Sequence, residues 1–341
     1  MWHIKYYLKK ESFPLIAGIF TTSRCNMKCT MCTIWRNKKK EDITFKELKE
    51  FVDTVTPGLC YLSFSGGEPL LLKDIFKMIK YASDKIPYIH LVTNGSLITK
   101  QVARKLSDNG LSEISISIDG EEKFHEYIRG IKGSYKKAIN ALELMLKYAP
   151  NVKIVLNTVL FPAYPEQVYN VLKIAEKYKV YMKVQAVNTH FSFKQMARGR
   201  EKKTLTGRRK VEKDKIKNLI KTLKRSKFIV NSSYYLDNII NYFSGELRFK
   251  PSYPECILPY FFIELNGNGI LSPCMYGTGW ENGVNWRKTT MKEAINSKEF
   301  HQIQKRLKSC RKCDNTMYIC YWEPLSTFPF KNFLKYTLFY F

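Results

Sequence analysis

At 341 residues the chain is long enough for one large domain and a smaller one, and too short for three ordinary domains. Hydrophobic residues make up 45% and charged residues 26%, close to the globular average, which excludes a disordered, collagen-like or coiled-coil chain. Charge is the outlier: 57 Lys and Arg against 30 Asp and Glu leave +27, enough to draw nucleic acid, anionic lipid or an acidic substrate.

Residues 1–14 form an aromatic and basic N-terminal segment with Trp2, Tyr6 and Tyr7 among lysines. From 15 to 190, short apolar, β-branched runs alternate with helical patterns, the form of repeated βα units around a parallel sheet. Strands are expected over 15–22, 61–65, 89–93, 113–119, 153–160 and 180–187, with helices near 45–55, 73–84, 98–109, 134–148 and 165–178. Asn109-Gly110 stops the third helix, and Pro150-Asn151 breaks the chain before the fifth strand. Six such units predict an α/β fold, a partial (β/α)6 TIM-like barrel.

The alternation stops over 191–250, a basic helical connector. Within it Lys194 to Lys227 carries 15 basic and 3 acidic residues, either a solvated helix face or a surface for a polyanion or membrane. Residues 251–324 hold five of the nine cysteines with little periodicity, and read as a small lobe organised by a metal rather than by apolar burial. Segment 325–341 has seven aromatics and two lysines, and Phe330, Phe333, Leu334, Leu338 and Phe341 share one helical face, an amphipathic pattern. No apolar run reaches about 18 residues and the N-terminus lacks a secretory pattern, so a cytoplasmic setting is expected. Clustered cysteines there mean metal or redox chemistry rather than disulfides.

Directly after the first expected strand come Cys25, Cys29 and Cys32, spaced by three and then two residues. A structural zinc takes four ligands, whereas an iron–sulfur cube held by three thiolates leaves one iron open, with a zinc knuckle as the alternative. Cys-x3-Cys-x2-Cys at this place resembles the radical S-adenosylmethionine (SAM) enzymes. The resemblance covers 15–190. It implies a 4Fe-4S cluster on these three residues, SAM chelated at the open iron, and reductive cleavage of SAM to a 5′-deoxyadenosyl radical that abstracts a substrate hydrogen.

The other strand ends bear on the same reading, because a parallel αβ barrel gathers functional groups at its C-terminal face. The second strand runs into Gly66-Gly67-Glu68-Pro69, where missing Cβ atoms let backbone approach a ligand. Alone it is an ordinary turn; it matches the family's GGEP motif, which implies a hold on the SAM amino group. Thr93-Asn94, Ser117 and Asp119 offer hydroxyl, amide and carboxylate groups that, by resemblance, bind ribose or the methionyl carboxylate, and plain turns explain them equally well. Arg129 is suited to a carboxylate. Asn157 contacts the nucleoside by resemblance, or is a buried polar residue satisfied within the barrel. Met31 stands where many relatives place an aromatic over adenine, and a thioether also packs on a ring. His125 near the fourth strand and His190 after the sixth either face the pocket or, as is more common for a histidine, the surface.

Downstream, Cys256, Cys274, Cys310-Arg-Lys-Cys313 and Cys320 resemble the auxiliary-cluster region called SPASM, in its shortened single-cluster form, twitch. This implies one auxiliary 4Fe-4S cluster on Cys256, Cys274, Cys310 and Cys313 for electron transfer, with zinc on four thiolates as the alternative. Cys320 is left over as a substitute ligand or a buried thiol, and Cys60 reads as core. The chain therefore reads as a radical SAM oxidoreductase served by an electron donor such as flavodoxin or ferredoxin. Its substrate is a ribosomal peptide or protein, the commonest association of SPASM-type enzymes, or a lipid, since both terminal segments fit peripheral contact with an anionic membrane. RNA ranks last because no RNA-binding motif accompanies the charge. A non-enzymatic iron–sulfur electron carrier would not need Gly66-Gly67-Glu68-Pro69.

Overall fold

The computed structural model describes residues 14–37, 41–56, 58–188, 213–247, 255–275, 283–311, 313 and 317–326. Strands β1 (Ile16–Phe20), β2 (Tyr61–Ser65), β3 (Tyr88–Thr93), β4 (Glu113–Ser117), β5 (Lys153–Leu160) and β6 (Tyr181–Ala186) pair in parallel, each with the next. Between them run α1 (Phe45–Val55), α2 (Ile75–Ser83), α3 (Lys100–Asp108), α4 (Glu122–Arg129), α5 (Ser134–Tyr148) and α6 (Glu166–Tyr178). This is the expected partial TIM-type barrel. Helix α4 is additional to the expected set: it has only eight residues, too few for a periodic signal.

Local chemistry explains the boundaries. Helix α1 starts on a capping box, in which Thr44 and Glu47 satisfy each other's backbone N–H, and it buries Leu48, Phe51, Val52 and Val55. The first strand is shorter than expected because Thr22 leaves β2 to bridge Asp42. Ala17, Ile19, Leu62 and Phe64 are fully buried while the alternating Gly18, Phe20, Ser63 and Ser65 are half-buried. A period of two thus gives the sheet one apolar face under the helices and a second face lining the barrel.

Strand β7 (Phe262–Asn266) lies parallel to β1 with Gly18 opposite Glu264, and β8 (Ile270–Ser272) and β9 (Val284–Asn285) follow antiparallel. The result is one nine-stranded sheet in the order β6-β5-β4-β3-β2-β1-β7-β8-β9. The sheet therefore runs across the boundary expected at 251. The lobe expected over 251–324 contributes apolar burial as well as cysteines. Leu265, Leu271, Trp286, Met291, Phe300, Leu307 and Trp322 are buried in the same apolar core as the barrel. Strands β7 and β8 and the 3-10 turn at Trp286 carry the first three, and α9 (Met291–Ile295), α10 (Lys298–Leu307) and α11 (Ile319–Ser326) carry the other four.

In the connector, α7 (Lys213–Arg225) packs on α6 and on α8 (Ser233–Phe243), and the β6 edge is covered by Phe228 and Val230, which bond Met182, and by Tyr235 of α8, which bonds Ala186 N–H. Asn231 completes the cover, its amide bonding the Val184 N–H at 2.7 Å and the Val184 carbonyl at 2.9 Å. Helix α7 buries Ile216, Leu219, Ile220 and Leu223, so this part of the basic stretch is a solvated helix face. Residues 1–13, 189–212 with His190, and 327–341 lie outside the described residues, and with them the amphipathic tail reading. No helix among the described residues is long and apolar enough to cross a membrane.

Candidate active site

The loop after β1 carries Cys25, Cys29 and Cys32, and two other loops grip it. On one side Gly67 N–H donates to the Thr22 carbonyl at 2.7 Å and Glu68 N–H to the Arg24 carbonyl at 2.8 Å. Gly66 has φ +138°, and a Cβ on Gly67 would stand 2.0 Å from the Arg24 carbonyl oxygen. The space freed by these glycines is filled by the stem of the cysteine loop. On the other side Lys28 N–H donates to the Arg129 carbonyl at 3.1 Å and Thr30 N–H to Ile128 at 2.9 Å. Gly130, left-handed at φ +68°, ends α4 with a Cβ position only 2.4 Å from the Lys28 carbonyl oxygen.

Glu68 ties a third loop to this clamp. Its carboxylate is fully enclosed, accepting from Thr93 Oγ1 at 2.7 Å, Asn94 N–H at 2.9 Å and Leu70 N–H at 3.3 Å. Burial pushes its pKa up, against those hydrogen bonds and Arg129, which favour the charge. The Asn94 side chain donates to Asn26 Oδ1 at 2.8 Å, and Asn26 donates to Ser96 Oγ at 2.8 Å. Thr93 and Asn94 thus steady Glu68 and the cysteine loop. Pro69 opens the short 3-10 turn that Glu68 caps.

Asp119 is fully buried, its two oxygens accepting from Arg129 Nε at 2.7 Å and Val159 N–H at 3.0 Å. It is therefore a holder of Arg129, whose guanidinium also reaches the Cys29 thiol. Burial opposes the Arg129 charge, but Asp119 and Cys29 hold its pKa above the ordinary value. Ser117 ends β4 opposite Asn157 on β5, next to Lys183 on β6. Asn157 Oδ1 is buried with no hydrogen-bond partner among the described residues. Met31 packs against a separate apolar cluster of Phe124, Ile128, Phe161 and Val187.

The thiols fit an iron–sulfur cluster. Burial raises all three pKa values, that of Cys32 to about 11, and the nearby charges of Cys29 and Cys25 push Cys32 the same way. A coordinated metal reverses that preference, since a ligating thiol is deprotonated outright. Among the described residues no three His, Cys, Asp or Glu side chains converge on a single ion position. A cube binds each thiolate at a different iron and does not require such convergence.

His125 is 1% exposed, so of its two expected settings the surface one does not hold. Its Nδ1 accepts from Asp119 N–H at 3.2 Å, and burial with Arg129 beside it lowers its pKa to about 4. Below about pH 6.5 an unfolded chain protonates this histidine while the folded chain does not, so stability falls as pH drops from 6.5 to 4. His125→Gln is expected to lose less stability over that window. Denaturation midpoints at pH 7.5, 6 and 5 check this; parallel curves for variant and wild type would refute it.

Inside the barrel lies a polar cluster that the sequence reading missed. His90 Nδ1 meets Tyr61 Oη at 2.8 Å and Ser63 Oγ at 2.9 Å, and its Nε2 meets Ser115 Oγ at 2.8 Å. Glu113, fully buried, accepts from Tyr88 Oη at 2.8 Å and lies 3.7 Å from Lys183 Nζ. Burial lowers the pKa of both His90 and Lys183.

Of the downstream cysteines, Cys256 and Cys310 are electrostatic neighbours, and burial raises the Cys256 thiol to about 11. Cys256 N–H donates to the Lys308 carbonyl at 2.9 Å. Cys274 is buried beyond β8, where Glu264 accepts from the adjacent Met275 N–H at 2.8 Å. Cys313 is half-buried, and so is Cys60. The charge neighbours of Cys320 are Lys183, Tyr235 and Tyr318.

Residues 19–175 match the Radical SAM superfamily, and this segment is a radical SAM domain, the domain of a class of enzymes that use a 4Fe-4S cluster and SAM. The chain is 32% identical over 138 residues to AdoMet-dependent heme synthase of Methanosarcina barkeri, covering 39% of this chain and 40% of that one. It is 30% identical over 130 residues to PqqA peptide cyclase of Bradyrhizobium diazoefficiens, 37% of this chain and 34% of that one. The matches thus span well under half the length of these curated relatives. The fold is similar to that of Streptococcus suis SuiB, solved bound to S-adenosylmethionine, with a TM-score of 0.66 at 17% identity over 92% of this chain and 74% of that one.

Proposed function

We propose that the protein is a radical SAM oxidoreductase acting on a peptide or protein, with an auxiliary 4Fe-4S cluster on Cys256, Cys274, Cys310 and Cys313. The observation that carries the reading is the double clamp on the cysteine loop, by Gly66-Gly67-Glu68 on one side and the end of α4 on the other. A 4Fe-4S cluster bound there supplies the electron that cleaves SAM and so a 5′-deoxyadenosyl radical for hydrogen abstraction.

The chain's own residues supply the rest. Cys25, Cys29 and Cys32 would hold the cluster. Glu68 keeps the Gly66-Gly67 backbone and the Thr93-Asn94 turn in register over the cysteine loop. Arg129, fixed through Nε, has guanidinium donors left for the SAM carboxylate. Ser117 and the unpaired Asn157 Oδ1 suit ribose hydroxyls. Met31 and its apolar cluster give adenine a dry surface.

The peptide preference is supported by the PqqA peptide cyclase relative together with the downstream cysteines. The heme synthase relative is matched over a similar length, so substrate choice rests on residues the shared segment does not determine. The test is anaerobic: reconstituted protein, SAM and dithionite are expected to yield 5′-deoxyadenosine by mass spectrometry. No product from protein with confirmed iron and sulfide would overturn the reading.

A further inference from the structure

A groove of about 1220 Å³ lies outside the barrel, between α1 and the α9–α10 pair. Five lysines line it, and its two acids are already engaged. Asp53 pairs with Lys49 and Lys85, and Glu50 accepts from Met291 N–H at 2.7 Å. Lys46, Lys292 and Lys305 are exposed in the groove and have no carboxylate partner among the described residues. Such a surface draws an acidic partner and raises its association rate.

The groove also touches the downstream cysteines. Its wall includes Tyr260, Gln304 and Lys308. Lys308 Nζ stands 5.3 Å over the Tyr260 ring, and the Lys308 carbonyl accepts from Cys256 N–H at 2.9 Å, two residues before Cys310. Gln304 Nε2 donates to the Pro259 carbonyl at 2.8 Å, closing the wall. A protein seated here rests against the backbone that carries Cys256 and Cys310.

We propose that this groove docks an acidic one-electron carrier protein, a flavin or iron–sulfur carrier. The inference rests on the auxiliary-cluster reading for its purpose: the carrier loses one electron, the centre held by those cysteines gains one, and no proton moves. Binding itself does not depend on that reading.

The experiment uses the reconstituted full chain and a recombinant bacterial flavodoxin, titrated calorimetrically at low and high salt. Reversing Lys46, Lys292 and Lys305 together to Glu is expected to weaken binding by at least about tenfold and remove most of its salt dependence. Reversing Lys73, Lys123 and Lys137, exposed outside the groove, is expected to leave it within about twofold. Dithionite-driven 5′-deoxyadenosine formation is expected to be unchanged in both variants, while flavodoxin-driven formation falls in the first alone. Equal weakening by the two triple variants, or none by the first, would overturn the docking site. So would tighter, lysine-dependent binding of polyuridylate, which would make the groove a nucleic-acid surface. Loss of dithionite-driven cleavage in the wild type would instead sink the enzyme reading and leave the binding result standing.

Discussion

Cys29→Ala is expected to bring 5′-deoxyadenosine formation to background, whereas Cys256→Ala is expected to keep it within about tenfold of wild type and to stop substrate turnover. Cys29 is the middle thiol of its loop, 7% exposed, with Arg129 at its sulfur. Removing it leaves two thiols for the cluster and takes from the buried Arg129 one of the charges that offset it beside Asp119 and Glu68. Cys256 takes no part in the hydrogen bonds that fix residues 22–32, and its neighbour is Cys310. Iron content and 5′-deoxyadenosine yield, measured side by side in the two variants, check the division of labour. Equal and complete loss of SAM cleavage in both would refute it.

The cysteine loop and the Gly-Gly-Glu-Pro turn were legible because each packs its chemistry into a few adjacent residues. What escaped was whatever depends on residues far apart. Strand β7 joins β1 through Gly18 and Glu264, and a five-residue run such as Phe262–Asn266 carries no local sign of that partner. Tyr88, His90, Glu113 and Lys183 sit on three different strands and look like unrelated polar residues in the sequence. One signal did exist: all four occupy barrel-facing positions of strands whose other face is apolar. The glycines show a different failure. Absence of Cβ predicts close approach, but not by what, and here it is the backbone of residues 22–24.

That distinction makes Gly67→Ala the second large expected effect. The added Cβ would lie 2.0 Å from the Arg24 carbonyl oxygen, 2.6 Å from its carbon and 3.2 Å from Cys25 Cβ. All three belong to backbone or to the cysteine itself, so no flexible side chain can swing away. Relief requires breaking the Gly67–Thr22 and Glu68–Arg24 hydrogen bonds, of 2.7 and 2.8 Å, and moving Cys25 with them. The cost expected is about 3–5 kcal/mol, the range of severe core disruptions. Gly133→Ala supplies the control, because Gly133 is left-handed at φ +77° and a Cβ there meets nothing within 4 Å. Its expected cost is about 1 kcal/mol, purely conformational. Thermal denaturation of the cluster-free proteins compares the two, and iron per chain after reconstitution should fall only in Gly67→Ala. If Gly67→Ala proved no less stable than Gly133→Ala, the cysteine loop would not be clamped by this turn.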